Sequence, residues 1–236
     1  MSKIKIGDEF KTKNFGMLKV ISYENCKKVG VKFKDTGYET VAWANRIREG
    51  GVKDNTLPII YGVGFLGDGL FKSIKNSKHE ESYTTWNDML RRCYSEKEKL
   101  RAPTYSECTV CDSWHNFQTF ALWYKENHIK GCQIDKDIKI KGNKVYSPST
   151  CLFVTKSLNT LFTDRRAKRG LLPIGVTYKG GKFEAQCSGN GGRRYIGVFD
   201  TKEDAFNAYK KQKNIQVQKA MEQNPEIAIY LRNHLN

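Results

Sequence analysis

The sequence contains no long apolar run, and its cysteines are odd in number; each feature argues against a class of protein. No stretch of about 18 apolar residues occurs in the 236 residues, so we expect no membrane-spanning segment. The first residues, MSKIKIGDEF, have no apolar signal core, so secretion is not expected. Seven cysteines cannot all pair, which favours reduced thiols in a cytoplasmic protein over a disulfide framework.

Acidic residues are also in short supply. The chain has 41 lysines and arginines against 25 aspartates and glutamates, a net charge of +16. The positive electrostatic field of such a chain attracts a polyanionic partner, and nucleic acid is the most common one. The alternative is a soluble protein with solvated lysines. We expect double-stranded DNA as the partner, with no membrane and no small-molecule substrate.

The pattern of strands and helices predicts an α+β, multidomain protein. We expect five segments along the chain: a β-rich basic module (1–57), a glycine-rich connector (58–82), a ββα domain with supporting helices (83–162), a basic linker (163–173) and a C-terminal sheet packed on a helix (174–236).

The N-terminal module is predicted from alternating apolar residues. Strands are expected at 17–23, 29–33 and 38–41, followed by a short helix that ends at Gly50 and Gly51. The module is basic, so it either contacts the DNA backbone or is a spacer with a solvated surface.

Two helices are predicted to support the ββα domain. Trp86, Met89, Leu90 and Cys93 follow helical spacing after an N-cap at Thr84 or Thr85. A second helix is expected from Ser113 onwards, with an aromatic stripe that forms a core.

Residues 133–162 predict a strand, a turn, a second strand and a helix. Ile134, Ile138 and Ile140 mark the first strand, and Gly142-Asn143 favours a turn before a return strand at Val145-Tyr146. Asp135, Lys136 and Asp137 are placed at one end of this hairpin, opposite Asn159 on the helix. Such an arrangement is typical of a small hairpin-plus-helix metal site.

The C-terminal segment predicts three strands at 174–178, 182–188 and 194–199. Glycine pairs separate them, and Asp200-Thr201 leads into a helix at 202–222 with acids in its first turn. A short terminal helix is expected at 226–235.

This segment resembles the APETALA2/ethylene-response-factor DNA-binding domain. The matching residues are Gly175-Val176, Gly181-Lys182-Phe183, Ala185, Tyr195-Ile196-Gly197, Phe199-Asp200-Thr201, Glu203, Ala205, Ala208 and Tyr209. The resemblance implies a three-stranded sheet that lies in the major groove and is backed by one helix. Thr177 and Lys179 replace the family's pair of arginines on the first strand, so base specificity cannot be transferred.

Candidate DNA-binding side chains lie on these strands and in the linker. The outward candidates on the sheet are Tyr178, Lys179, Lys182, Glu184, Gln186, Ser188, Arg193 and Arg194. The basic linker contributes Arg165, Arg166, Lys168 and Arg169, which are either solvated or track phosphates.

Residues 83–162 resemble the degenerate HNH (ββα-metal) endonuclease-like proteins of bacteriophages. The matching pieces are Tyr83, Trp86, Met89, Arg92-Cys93-Tyr94, Val110-Cys111, Trp114, Phe117, Ile134-Asp135-Lys136, Tyr146-Ser147-Pro148, Cys151 and Asn159. The resemblance implies a homing-endonuclease-like protein, in the cytoplasm of an infected bacterium, that nicks or cleaves DNA with Mg²⁺ or another divalent metal. Asp135 and Asn159 would hold the metal, and Asp135, Lys136, Asp137 and Asn159 would form the catalytic site.

Two positions depart from the HNH pattern. Lys136 occupies the position of the catalytic histidine, and Thr150 that of the middle asparagine. A lysine is a poor base unless burial lowers its pKa strongly. None of the four histidines lies in the hairpin, and His128 is the nearest in sequence. The alternative is therefore a non-catalytic DNA-binding or regulatory protein, with the HNH remnant as a scaffold in which Lys136 contacts phosphate.

The cysteines offer a second metal hypothesis. Cys108 and Cys111 have the spacing of a zinc-binding pair, and Cys132 and Cys151 would complete four thiolates. The second pair lacks this spacing, so reduced cysteines packed in a core are the alternative.

Overall fold

The computed structural model describes residues 3–162, 171–189 and 192–235, which fold into several small sheets and seven α-helices. The chain divides into two compact units, Met1–Lys125 and Glu126–Asn236. Among the residues described, none of the helices combines the length and the apolar character needed to cross a membrane.

The first unit begins with a four-stranded antiparallel sheet in the order β1-β2-β3-β4. Its strands and the short helix that follows are β1 (Glu9–Lys11), β2 (Met17–Asn25), β3 (Lys28–Phe33), β4 (Glu39–Ala42) and α1 (Ala44–Arg48). Alternate side chains of β2 and β3, among them Leu18, Val31 and Phe33, form the core together with Ile47 of α1. The three predicted strands and the short helix are confirmed as β2, β3, β4 and α1, whereas β1 was not predicted.

The rest of the first unit is mainly helical. The elements are β5 (Ile74–Lys75), β6 (Lys78–His79), α2 (Glu81–Tyr94), α3 (Glu96–Arg101), a 3₁₀ turn (Pro103–Tyr105), β7 (Thr109–Val110), a second 3₁₀ turn (Asp112–His115) and α4 (Phe117–Asn127). Trp86, Met89 and Leu90 are fully buried, as their spacing predicts. Both predicted helix starts were wrong: α2 begins at Glu81, and a 3₁₀ turn takes up the residues before α4, where Trp114 accepts a 2.6 Å hydrogen bond from Nε1 of Trp86.

The second unit contains the ββα segment and the C-terminal sheet. Its first elements are β8 (Cys132–Asp135), β9 (Val145–Tyr146), β10 (Leu152–Thr155) and α5 (Lys156–Phe162). The C-terminal elements are β11 (Val176–Lys179), β12 (Lys182–Gly189), β13 (Gly192–Phe199), α6 (Lys202–Gln223), a 3₁₀ turn (Pro225–Ile227) and α7 (Ala228–Arg232). Thr201 caps α6 by accepting a hydrogen bond from the Asp204 amide, and α6 begins at Lys202, as predicted. The terminal helix is shorter than predicted.

The strand pairing in the ββα segment differs from the prediction. Strand β8 ends at Asp135 and pairs with β10, so that Asp135 lies opposite Leu152. The expected hairpin across Gly142-Asn143 was therefore wrong, although Gly142 does adopt the turn conformation with φ of 78°. The strand ends early because the Asp135 side chain binds the main chain that follows it.

One apolar core joins the two parts of the second unit. Ile138, Val154 and Leu158 of the ββα segment pack with Val217 and Leu231 from the C-terminal helices. A smaller cluster of Val176, Ala185 and Ala205, with aromatic neighbours, lies between the sheet and α6. The segments that the sequence divides at 163–173 thus belong to one compact unit.

Candidate nucleic-acid interface

The three-stranded sheet β11-β12-β13 has one face covered by α6 and one that α6 leaves open. Strand β12 buries Ala185 and Cys187 against the helix side, and their alternation places Glu184, Gln186 and Ser188 on the opposite face. Each residue on a neighbouring strand shares the face of its register partner. The open face, called the outer face below, is therefore set by the register: Thr177, Lys179, Lys182, Glu184, Gln186, Ser188, Arg193, Tyr195 and Val198.

Most of the predicted DNA-binding side chains of the sheet lie on this face. Lys179, Lys182, Gln186 and Arg193 belong to it, as do Glu184 and Ser188. The outer face carries both hydrogen-bonding side chains and cations, and the ammonium of Lys182 pairs with Asp200. Side chains of these two kinds are those that contact base edges and phosphates.

Two predicted residues are on the other side. Tyr178 lies opposite Phe183, with ring centroids 4.9 Å apart, and Arg194 lies opposite the buried Cys187. By register both residues lie on the α6 side of the sheet and not on the outer face, but both are exposed, Tyr178 to 59%, so their part in DNA binding stays a prediction. A register shift between Ala185 and Gln186 places Arg194 on this side, because it adds a residue to β13 and reverses the alternation beyond it.

The same shift turns Tyr195 outwards, opposite Gln186. Tyr195 is 58% exposed. From the sequence, Tyr195 was only one of the residues that match the APETALA2 family, and its place on the outer face was not predicted. The bulge that turns it outwards has no local signal in the sequence.

A cleft of about 540 Å³ lies beside the sheet, within the second unit. Helix α5 contributes Lys156, Ser157 and Thr160, and the sheet contributes Gln186, Ser188 and Arg193. Leu161, Val176, Cys187 and Tyr209 line the cleft as well, so it joins apolar residues of the α6 side to polar residues of the outer face. Arg165, Arg166, Lys168 and Arg169 lie outside the described residues.

In the ββα segment, Asp135 holds a turn of its own main chain. Its Oδ1 accepts hydrogen bonds of 2.8 Å from the amides of Asp137 and Ile138. Burial raises the pKa of Asp135, while these two hydrogen bonds oppose the rise. The carboxyl group thus acts as a cap at the end of β8.

Lys136 is buried and is held by its neighbours. Its Nζ donates to both carboxylate oxygens of Asp137 and to the carbonyl of Asn143, each at 2.8 Å. The same ammonium lies 5.7 Å from the ring centroid of Tyr146. Lys136 is only 6% exposed and its ammonium is paired with Asp137, so it is not an exposed lysine of the kind that contacts phosphate.

Thr150, which occupies the position of the middle asparagine of the HNH pattern, also makes contacts that stabilise the fold. Thr150 is buried, and its Oγ1 donates a 2.7 Å hydrogen bond to the carbonyl of Val145. Asn159 lies on α5, which packs against β8, so it is on the element next to Asp135.

A histidine near this site was missed by sequence reasoning. His234 is buried, and its Nε2 lies 3.1 Å from the carbonyl oxygen of Ile138. Burial lowers its pKa, and the nearby Asp135 acts in the opposite direction. His234 follows the last helix and is 96 residues from Ile138 in sequence, so no motif with a fixed spacing predicts that the two residues are neighbours. His128, the histidine considered from sequence, stands edge-on to Phe153 at 5.0 Å.

The residues do not fit a catalytic metal centre of the HNH kind. Asp135 and Asn159 offer oxygen atoms of the type that Mg²⁺ prefers. However, both oxygens of Asp137 are bound by Lys136, and Lys136 itself stands in the position of the base as an ion-paired ammonium. No group of three His, Cys, Asp or Glu side chains suited to a metal occurs in the described part of the chain.

The zinc hypothesis gains no support from the cysteines. Cys151 is buried, and burial raises the pKa of its thiol to about 12. Cys108 is buried as well, and its Sγ donates to the carbonyl of Thr104 at 3.7 Å. These are the surroundings of cysteines packed in a core.

Compared with known proteins, the chain matches no protein-family model, no curated protein and no solved structure. Its function therefore has to be inferred from the arrangement of its own side chains.

Proposed function

We propose that this protein binds double-stranded DNA through the outer face of the sheet β11-β12-β13. The observation that carries the proposal is the open face itself, where Arg193, Tyr195 and Gln186 lie together while α6 covers the opposite side. An antiparallel sheet can enter the major groove, where amide and hydroxyl side chains reach base edges.

Charge supports the same partner. The net charge of +16 attracts a polyanion, and Lys179 and Arg193 place cations at the two ends of the outer face. Gln186 and Thr177 lie between them, and Ser188 lies opposite Arg193. Cations at the ends would position the phosphate backbone, and the polar side chains between them would contact the bases.

The ββα segment is proposed as a scaffold and not as a nuclease centre. Asp135 caps a turn, and the ion pair of the buried Lys136 with the half-exposed Asp137 stabilises the loop that follows. This favours the non-catalytic DNA-binding protein over the homing-endonuclease-like protein that the sequence resemblance also implies.

The binding proposal is tested on a duplex selected from a random library by the full chain. Affinity is then measured against salt concentration for the wild type, Arg193→Ala and Arg194→Ala. We expect Arg193→Ala to weaken binding about tenfold and to reduce the slope of log K against log salt by about 1, since one phosphate contact is lost. Arg194→Ala is the matched control, because the same side chain points to the helix side. Unchanged affinity and slope for Arg193→Ala would refute the sheet as the binding surface.

The scaffold proposal is tested separately with supercoiled plasmid that carries the selected site. We expect no nicking with Mg²⁺ or Mn²⁺. Metal-dependent nicking that disappears in Asp135→Ala would instead establish the nuclease and reject the scaffold role.

A further inference from the structure

The outer face of the N-terminal sheet β1-β2-β3-β4 carries an exposed apolar patch. Val41 and Trp43 are two residues apart, so both point away from the core, and they are 65% and 55% exposed. Ile21, at a register shift in β2, is 39% exposed and lies beside them in the sheet. These three side chains are called the Trp43 patch.

Gly30 forms the floor of the patch. It lies opposite Val41 on one side and Ser22 on the other, so its missing side chain would point to the outer face. A β-carbon built there would lie 3.5 Å from Cγ1 of Ile21 and would collide with Oγ of Ser22. The absence of a side chain at Gly30 therefore lets the Ser22 hydroxyl lie beside it on the outer face.

The patch is surrounded by positive charge. The ammonium of Lys27 lies 5.8 Å from the ring centroid of Trp43. The register places more cations than anions on this side of the sheet, namely Lys11, Lys19, Lys28, Lys32 and Lys34 with Glu9, Glu24 and Glu39. Lys28, Lys32 and Lys34 pair with the glutamates, whereas Lys11, Lys19 and Lys27 form no ion pair within the part of the chain that the structure describes.

We propose that the Trp43 patch binds single-stranded nucleic acid, with an unpaired base stacked on Trp43, the neighbouring phosphate on Lys27 and a phosphate further along the bound strand on Lys19. An exposed aromatic ring in a basic surface is the arrangement by which proteins hold single strands without sequence preference. The excess of lysines disfavours a second copy of this chain, whose own surface carries the same sign. Three apolar side chains are also too few for a stable protein interface, which buries roughly 800 Å² per partner.

This site is distinct from the proposed duplex-binding face, and the test separates the two. A fluorescein-labelled oligothymidylate is titrated with the full-length protein, and anisotropy is measured. We expect Trp43→Ala to weaken binding about tenfold, because stacking on the ring is lost, while Trp43→Phe retains most of it. Lys27→Ala should reduce the salt slope by about 0.7, the value for one phosphate of a single strand. Trp43→Ala should leave the affinity for the selected duplex unchanged, and an equal loss for the duplex and the oligothymidylate would overturn a separate single-strand site.

A second variant keeps the test decisive if Trp43→Ala disturbs the fold. Val41→Glu adds a negative charge to an exposed strand position, and we expect it to abolish oligothymidylate binding while the melting temperature is retained. Binding of oligothymidylate by Trp43→Ala or Val41→Glu at the wild-type level would overturn the proposal. A wild-type dimer in light scattering that Val41→Glu converts to a monomer would also overturn it, since the patch would then bind a second copy.

Discussion

The ammonium of Lys213 donates a hydrogen bond to the main-chain carbonyl of Leu161, so a side chain of α6 caps the end of α5. It also lies 4.7 Å from the ring centroid of Phe162. The last carbonyls of a helix lack partners within the helix, and a cation there interacts favourably with the helix dipole. The contact links the ββα segment to the C-terminal helix inside one unit.

Lys213 should make the stability of the protein depend on alkaline pH. Burial lowers the pKa of Lys213 to about 8, from about 10.4 in the unfolded chain. Between these values the unfolded state binds more protons, so the free energy of unfolding should rise with pH across this window, by up to about 3 kcal/mol. Lys213→Met should remove the rise. Urea unfolding measured from about pH 8 to about pH 10.4, the limits that the two pKa values set, would follow this rise.

The matched control is Lys211→Met, an exposed lysine two residues away on α6. It should show the same pH dependence as the wild type. An equal dependence in Lys213→Met and the wild type would contradict the assignment.

Gly175 is predicted to be far less tolerant of alanine than Gly181. Both have positive φ, 78° and 79°, so the backbone strain of a substitution is similar. A β-carbon on Gly175 would collide with the ring of Tyr209 and lie 2.7 Å from the carbonyl oxygen of Gln186, whereas one on Gly181 would meet nothing within 4 Å. We expect losses of about 3 kcal/mol for Gly175→Ala and about 1 kcal/mol for Gly181→Ala. Thermal unfolding of the two variants provides the comparison, and similar losses would refute the predicted contact.

The sequence predicted those elements whose signals are local. Trp86, Met89 and Leu90 define α2 by their spacing, and the glycine pairs and alternating residues define β11, β12 and β13. Pairings that depend on distant contacts were not predictable. The β8–β10 pairing follows from the Asp135 cap, the orientation of Arg194 from a bulge, and the place of His234 from packing over 96 residues.

Substitutions of Asp135 can distinguish a residue that caps a turn from a residue that binds a metal ion. Asparagine at this position can accept the same two hydrogen bonds without a buried charge, whereas alanine leaves the amides of Asp137 and Ile138 without this partner. Because burial raises the pKa of Asp135, the wild type loses stability as pH rises from about 4 through the folded pKa, and Asp135→Asn should not. At neutral pH we expect Asp135→Asn to be at least as stable as the wild type and Asp135→Ala to lose about 1–2 kcal/mol.

The same variants report on metal binding. Millimolar Mg²⁺ should leave the melting temperature of the wild type unchanged. A rise in the wild type that is absent in Asp135→Asn would identify a metal ligand, since a ligand that binds only the folded state stabilises it.

The ion pair of Lys136 and Asp137 should respond unequally to loss of each partner. The Lys136 side chain is 7% exposed and that of Asp137 is 46% exposed. Asp137→Asn leaves a buried ammonium without its counter-ion, which should cost about 3 kcal/mol; Lys136→Met leaves a carboxylate that water can still reach, which should cost about 1 kcal/mol. Urea unfolding of both single variants and the double variant measures the two losses and their coupling. A larger loss for Lys136→Met, or weaker DNA binding in that variant, would instead make Lys136 a phosphate contact.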